Sequence, residues 1–304
     1  TGALVIAFNI VELLFPGQVL VPGWLRTHHS LGILRRGIRI KGPFNDFELN
    51  AEFFALNSFL FLFMLLRTRR LLTRSLLVII LILDLSMMFA TMTRGAFFSL
   101  LAGGGYLLFI SRKELNATKL ISIIAGFIFL LVVLNAIVAN YTISGSLFDR
   151  VVNTTFEEGL VPDTRTIAWG IALERGTRHP LFCPGPGWDF ASGTNTGVWP
   201  HSLYLFYFNS FGIFGLAAFL FLMYRILKAT IPGVKASLVR SPFPQAFLKI
   251  MHVLIIVFLL DQIKIEYLRN KIYTFFIWTL FAMVIITHNI VMKNRNINKK
   301  DAAT

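Results

Sequence analysis

Residues 76–92 read LLVIILILDLSMMFATM, a run whose one charged side chain is Asp84 and which is preceded at 67–74 by RTRRLLTR. That pairing decides the fold class. Inside a bilayer every backbone N–H and C=O must be satisfied within its own segment, so about 20 apolar residues in a helix cross the hydrocarbon core. The whole chain agrees: 56% of its 304 residues are apolar and 31 are phenylalanine, far above the usage of a soluble globular domain. The sequence predicts an all-α, polytopic transmembrane helix bundle, a single integral membrane domain over residues 1–304.

A chain of this length supplies about eight spans, expected near 3–22, 53–66, 75–92, 95–110, 120–139, 203–224, 246–260 and 272–291. The second, fourth and seventh are short. The first has no basic leader and no small-residue cleavage site, so it is read as a span, not a signal peptide. Lys and Arg in short loops stay on the cytoplasmic side. RTRRLLTR, the stretch 225–245 with Arg225, Lys228, Lys235 and Arg240, and the tail from Lys293 to Lys300 therefore belong inside. That puts 23–52, 140–202 and 261–271 outside.

The first external loop breaks the pattern, because Arg26, Arg35, Arg36, Arg39 and Lys41 face only Asp46, Glu48 and Glu52. Either insertion tolerates it or it forms an anion-binding surface at the outer leaflet. The net charge of +14 resides mostly in loops that topology explains, and no nucleic-acid motif accompanies it, so nucleic acid is not expected as a partner. Cys183 is the single cysteine, which excludes an intrachain disulfide. No metal or nucleotide motif occurs, and no cofactor is expected.

Polar residues at membrane depth are informative because each is costly without a partner. Asp84 reads as a buried hydrogen bond between helices or as a functional carboxylate, and Lys249 and His252 as packing or interfacial groups. Arg94, in TMTRGAFFSL, falls where the third span meets the fourth at the outer boundary. Gly95 allows the reversal, and Gly103, Gly104 and Gly105 are expected to pack closely on a neighbour.

The external loop 140–202, between the fifth and sixth spans, is too long for a tether, so part of it should be helical. From Asp163, the run TRTIAWGIALERG gives Ile167, Ile171, Trp169 and Leu173 an apolar stripe ending at Gly176. The expectation is an amphipathic lid on the membrane surface, with Arg165 in its first turn and Trp169 as interfacial anchor. The Gly- and Pro-rich stretch from Arg178 and His179 then descends to His201 at the mouth of WPHSLYLFYFNSFGIFG (199–215), where Gly212 and Gly215 are expected to admit another helix.

Taken together, RRGIRIKGPFNDFELNAEFF, TMTRGAFFSL, the loop carrying Arg165 and Trp169, HPLFCPGPGWDF and PHSLYLFYFNSFGIFG resemble the bacterial O-antigen ligase and O-antigen polymerase family over roughly residues 32–225. Family members carry more spans than this chain can supply, so the resemblance implies that amino-terminal spans are missing. It departs from the pattern at His201-Ser202, where His-Asn is common, and at Cys183, where a glycine is expected. The resemblance implies metal-independent transfer of a glycan from undecaprenyl diphosphate at the periplasmic face of the bacterial inner membrane. The acceptor would be a hydroxyl of the lipid A core for a ligase, or a lipid-linked glycan for a polymerase.

The residue chemistry fits such a reaction. Arg94 and Arg165, matching the family's motif arginines, would hold the diphosphate as its charge grows, by paired charge-assisted hydrogen bonds. His201 would take the proton from the attacking hydroxyl. Arg36 and Arg39 would draw in the anionic donor or acceptor, with Arg178, His179 and Trp169 as further substrate contacts. His179 competes for the base role from a less rigid position, and His28 and His29 are weaker candidates. A lipid-linked glycan transporter would instead spread polar residues through several spans and break helices at the midplane. A non-catalytic scaffold would tolerate loss of His201.

Overall fold

The computed structural model describes residues 1–14, 40–114, 116–141, 148, 151–152, 163–183 and 200–301. Among these the chain is helical, without strands. The helices are α1 (Gly2–Leu14), α2 (Phe47–Arg67), α3 (Leu71–Ala90), α4 (Arg94–Ser111), α5 (Ala117–Tyr141), α6 (Asp163–Arg178), α7 (Leu203–Val234), α8 (Phe243–Asp261) and α9 (Lys271–Asp301). Single 3-10 turns stand at Gly42–Phe44, Arg112–Glu114 and Tyr267–Arg269.

Against the eight spans expected, six described helices (α2, α3, α4, α7, α8 and α9) are long and apolar enough to cross a membrane. They are compatible with a multi-pass membrane protein. Of the expected first span, 3–22, the described part is helical within α1, and residues 15–22 lie outside the described residues. The spans expected to be short are not: α2 has 21 residues, α4 18 and α8 19. In α2 the sequence reading started the helix too late, because Glu48, Asn50 and Glu52 look like loop residues. They lie in the first turns of the helix, Asn50 and Glu52 buried and Glu48 partly so, each with polar partners.

The helices alternate in direction, which gives the bundle two ends. At one lie the starts of α2, α4, α7 and α9 and the ends of α3 and α8. At the other lie Arg67, Arg69, Arg70, Arg74, Arg112, Lys235, Arg240 and Lys293, the basic end. Helices α2 and α8 form the centre, with Phe53, Phe54, Phe59, Val253, Val257 and Phe258 almost fully buried.

Polar residues at depth are paired within the bundle. Ser58 Oγ donates to Asp84 Oδ2 at 2.8 Å, Lys249 Nζ to Glu114 Oε1 at 2.8 Å, and His252 bridges Tyr106 Oη (3.0 Å) and Thr230 Oγ1 (2.7 Å). Gly103 packs on Val257 and Phe59, whereas Gly104 and Gly105 face open space. Only one of the three expected close approaches is made.

Helix α7 is broken. Gly212 has φ 69° and ψ −167°, and the peptide N–H of Ile213 donates to Pro180 O at 2.8 Å. The rings of Tyr207 and Phe219 stack at 4.5 Å and 12°, although twelve residues of straight helix would separate them by about 18 Å. Residues 203–211 therefore fold back on the following turns as one arm of a V with its apex at Gly212. The expectation that Gly212 and Gly215 admit another helix is corrected here. A Cβ at Gly212 would strike the carbonyl of Leu181, so a loop seats there, and one at Gly215 would strike the helix's own Phe211.

Helix α6 runs along the first arm of the V. The stripe it buries is Ala168, Ala172 and Gly176, four residues apart, with Gly176 against Phe208. Ile167 and Leu173, expected on the apolar stripe of a membrane-surface lid, are not on this buried face and are exposed. Small residues win that face because they bring two helix backbones close together.

Candidate functional site

The end of the bundle opposite the basic loops is built around α2. Asp46 caps α2, its Oδ1 accepting from Glu48 N at 2.8 Å and Leu49 N at 3.2 Å. Before it, the carboxylate of Glu12 accepts from Lys41 N (3.1 Å) and Gly42 N (2.8 Å), fixing the turn that leads in. Glu48, in the first turn of α2, is ion-paired to Arg165 of α6 and bonded by Arg269 Nη2 at 2.8 Å. It also lies within electrostatic reach of His201.

Arg269 is the hub. It is 4% exposed and meets Asp46 at 3.2 Å, Glu48 at 2.8 Å and Glu266 at 3.6 Å. Burial alone would make it a weaker base, but Asp46, Glu266 and Glu48 outweigh that and push its pKa up, so it stays cationic. Glu266 moves the other way. Burial pushes its carboxyl up, and with Arg269 opposing and Glu48 and Asp46 adding, it reaches about 7. Asn270 ties the same loop to the turn before α2 by donating to Phe44 O at 2.8 Å.

Gln262 joins three elements. Its Nε2 donates to Glu52 at 2.9 Å, its Oε1 accepts from Tyr267 N at 3.0 Å, and its carbonyl accepts from Leu203 N at 2.9 Å. The last bond fastens the start of α7, and with it His201, to the end of α8. The α3–α4 corner closes the ring. Thr93 Oγ1 donates to Phe47 O at 3.3 Å, Gly95 lies against the Lys264 side chain, and Lys264 is ion-paired to Asp261. Arg94 stands between those two contacts.

Among the described residues, three non-glycine positions have left-handed backbone: Asn45 (φ 51°), Met92 (φ 54°) and His201 (φ 47°). All three are at this end, each at or within two residues of Asp46, Arg94 or His201. Such geometry costs of order 1–3 kcal/mol per residue and persists only where surroundings enforce it.

Of the residues singled out from sequence, Arg165 is ion-paired to Glu48, His201 lies within electrostatic reach of that carboxylate, and Arg94 sits on the adjoining corner. Trp169, expected as an interfacial anchor, is half-buried on α6, with its Nε1 buried and without a hydrogen bond. Arg178 is exposed and paired to Glu174 on its own helix at 2.6 Å, some 20 Å of helix from Arg165. His179 is exposed beside it. Neither joins the cluster. Arg36 and Arg39, like His28 and His29, lie outside the described residues. Sequence reading missed Asp46, Glu48, Glu266 and Arg269. Asp261, Lys264, Glu266 and Arg269 alternate in sign within a nine-residue connection between two spans, and that was the available signal.

No protein-family model matches the chain, and a search of curated proteins finds no significant match.

Proposed function

We propose that this end of the bundle is the active site of an O-antigen ligase-like glycan transferase in the bacterial inner membrane, facing the periplasm. What supports the reading is the ion pair between Arg165 and Glu48, with His201 within electrostatic reach of the same carboxylate, beside the corner that carries Arg94. The donor is a glycan on undecaprenyl diphosphate, and the acceptor a hydroxyl of the lipid A core.

In the reaction the imidazole of His201 takes the proton of the acceptor hydroxyl, whose oxygen forms a bond to the anomeric carbon. The bond from that carbon to the diphosphate oxygen breaks, and the electron pair leaves with the diphosphate. Arg165 and Arg94 donate to the departing phosphates. A guanidinium has five N–H donors, so Arg165 can keep Glu48 and still donate to a phosphate. Glu48 and Arg269 orient the pair without touching the reacting atoms. Enzymes hold such groups on rigid elements, and here both are buried in an ion-pair network.

The test is lipopolysaccharide analysis in a strain lacking the protein, complemented by His201→Ala, Arg165→Ala or Arg94→Ala. Uncapped core with accumulated polyprenyl-linked glycan in all four, with each variant still inserted, supports a ligase. Core carrying a single repeat assigns the polymerase reaction, and an unchanged glycan profile refutes both. The break in α7 favours a second reading, a lipid-linked glycan transporter, since broken helices recur in transporters. In that case purified protein would move the lipid across vesicles without forming a glycosidic bond.

A further inference from the structure

Helix α7 and its companion α6 leave one surface unexplained by the ion-pair cluster. From Phe211 to Met223 the sequence FGIFGLAAFLFLM has no polar side chain. Its exposed positions include Ile213, Phe214, Ala217, Ala218 and Phe221, whose i, i+1, i+4, i+5, i+8 spacing places them along one face, with Phe211, Leu220 and Leu222 exposed beside them. Further along, that face is the outside of a helix long and apolar enough to span a membrane. At its other end it runs without interruption onto the apex of the V, where Phe182 stacks on Phe214 at 4.8 Å and 20°. Phe182 is 71% exposed, Leu181 58% and Phe214 53%.

A tip of that kind standing in water would leave several large side chains hydrated at about 25 cal/mol per Å². The same tip in acyl chains pays nothing. The fold-back also supplies partners at the break, as an apolar surrounding requires, since Pro180 accepts the Ile213 N–H and the Cys183 thiol lies 3.6 Å from the Phe208 carbonyl.

We propose that the V formed by residues 203–218, with Leu181 and Phe182 of the turn seated in its apex, lies in the acyl-chain region of one bilayer leaflet, with the exposed Arg178 and His179 at its headgroup edge. It is a one-leaflet wedge beside the ion-pair cluster, and its occupant is lipid. Continuity of its apolar face with the flank of α7 carries the assignment, which is independent of the transferase reading.

The test uses the full-length chain in lipid nanodiscs. Cys183, the single cysteine, is replaced by serine, and spin labels are placed one at a time at Phe182→Cys and Phe214→Cys, with Phe221→Cys as the lipid-facing reference and Lys235→Cys as the aqueous one. The expected result is an oxygen-to-nickel collision ratio at 182 and 214 that matches 221 and is several-fold above 235. A ratio matching 235 overturns the proposal and leaves the V in water. Low access to both reagents, with broadening between labels, also overturns it, because a second copy or a partner protein then covers the tip.

Discussion

The two ends of the bundle use the same residue types in opposite ways. At the basic end, Arg67 donates to the carbonyls of Leu238, Val239 and Ser241 at 3.2, 3.4 and 2.7 Å, and Arg112 lies over the ring of Phe109. These arginines finish helix ends and reach toward solvent. At the other end Arg269 is sealed among carboxylates, and the left-handed residues Asn45, Met92 and His201 are all found there. Charge at a helix end is thus a topology signal at one end. At the other it is a buried, strained network of the kind that accompanies chemistry.

The sharpest way to break this contrast is to remove one arginine from each end. Arg269→Met leaves Asp46, Glu48 and Glu266 without their common cation and should cost about 3–5 kcal/mol, the range for a buried pair stripped of one partner. Arg67→Met, at the half-exposed end, should cost about 1 kcal/mol for its hydrogen bonds. Thermal unfolding in detergent micelles compares them. Equal losses would dissolve the distinction.

Glu266 gives the next effect, near 3 kcal/mol if its carboxyl moves from 4.5 to about 7. The folded state holds its proton longer than the unfolded chain does. Stability from this group is therefore present below about pH 4.5, falls as pH rises through 4.5 to 7, and levels off above. Glu266→Gln should flatten the melting temperature across that window and raise it at pH 8 relative to the parent. A parent whose stability climbs over the same window would mean the carboxyl is not held up by burial.

A smaller, divided effect is expected at His201. Glycine accepts φ 47° freely, so His201→Gly should gain about 1 kcal/mol in stability while losing glycan transfer. If stability falls instead, the imidazole is a structural fastener of α7.

Before any such test, the apolar architecture could be read from the sequence, since the span requirement leaves no other use for runs such as 76–92. What escaped is physically intelligible. Glu48 and Glu52 look like loop residues until Arg269 and Gln262, over two hundred positions away, are folded onto them. The Asp261–Arg269 connection looks like a plain turn because ion pairing across the bundle has no local period. Gly212 reads as a packing glycine, and only the fold-back reveals a left-handed break. The motif residues His201, Arg94 and Arg165 were legible as candidates, but Glu48, which pairs with Arg165 and lies within electrostatic reach of His201, was not.

The smallest expected effect concerns Arg178, named with the site by sequence. Its side chain is 67% exposed and its pair with Glu174 is an i,i+4 contact on an exposed helix face. Solvent screens such a pair, and long side chains lose entropy in holding it, so exposed helical pairs are worth about 0.3–0.5 kcal/mol. Arg178→Ala should therefore shift the melting temperature barely at all and leave glycan transfer within twofold of the parent, whereas Arg165→Ala, on the same helix but at Glu48, should abolish it. The same assay on both variants decides whether α6 works through its first turn alone. A large loss at Arg178 would extend the working surface from the cluster to the apex of the V, and the two regions would then be one site.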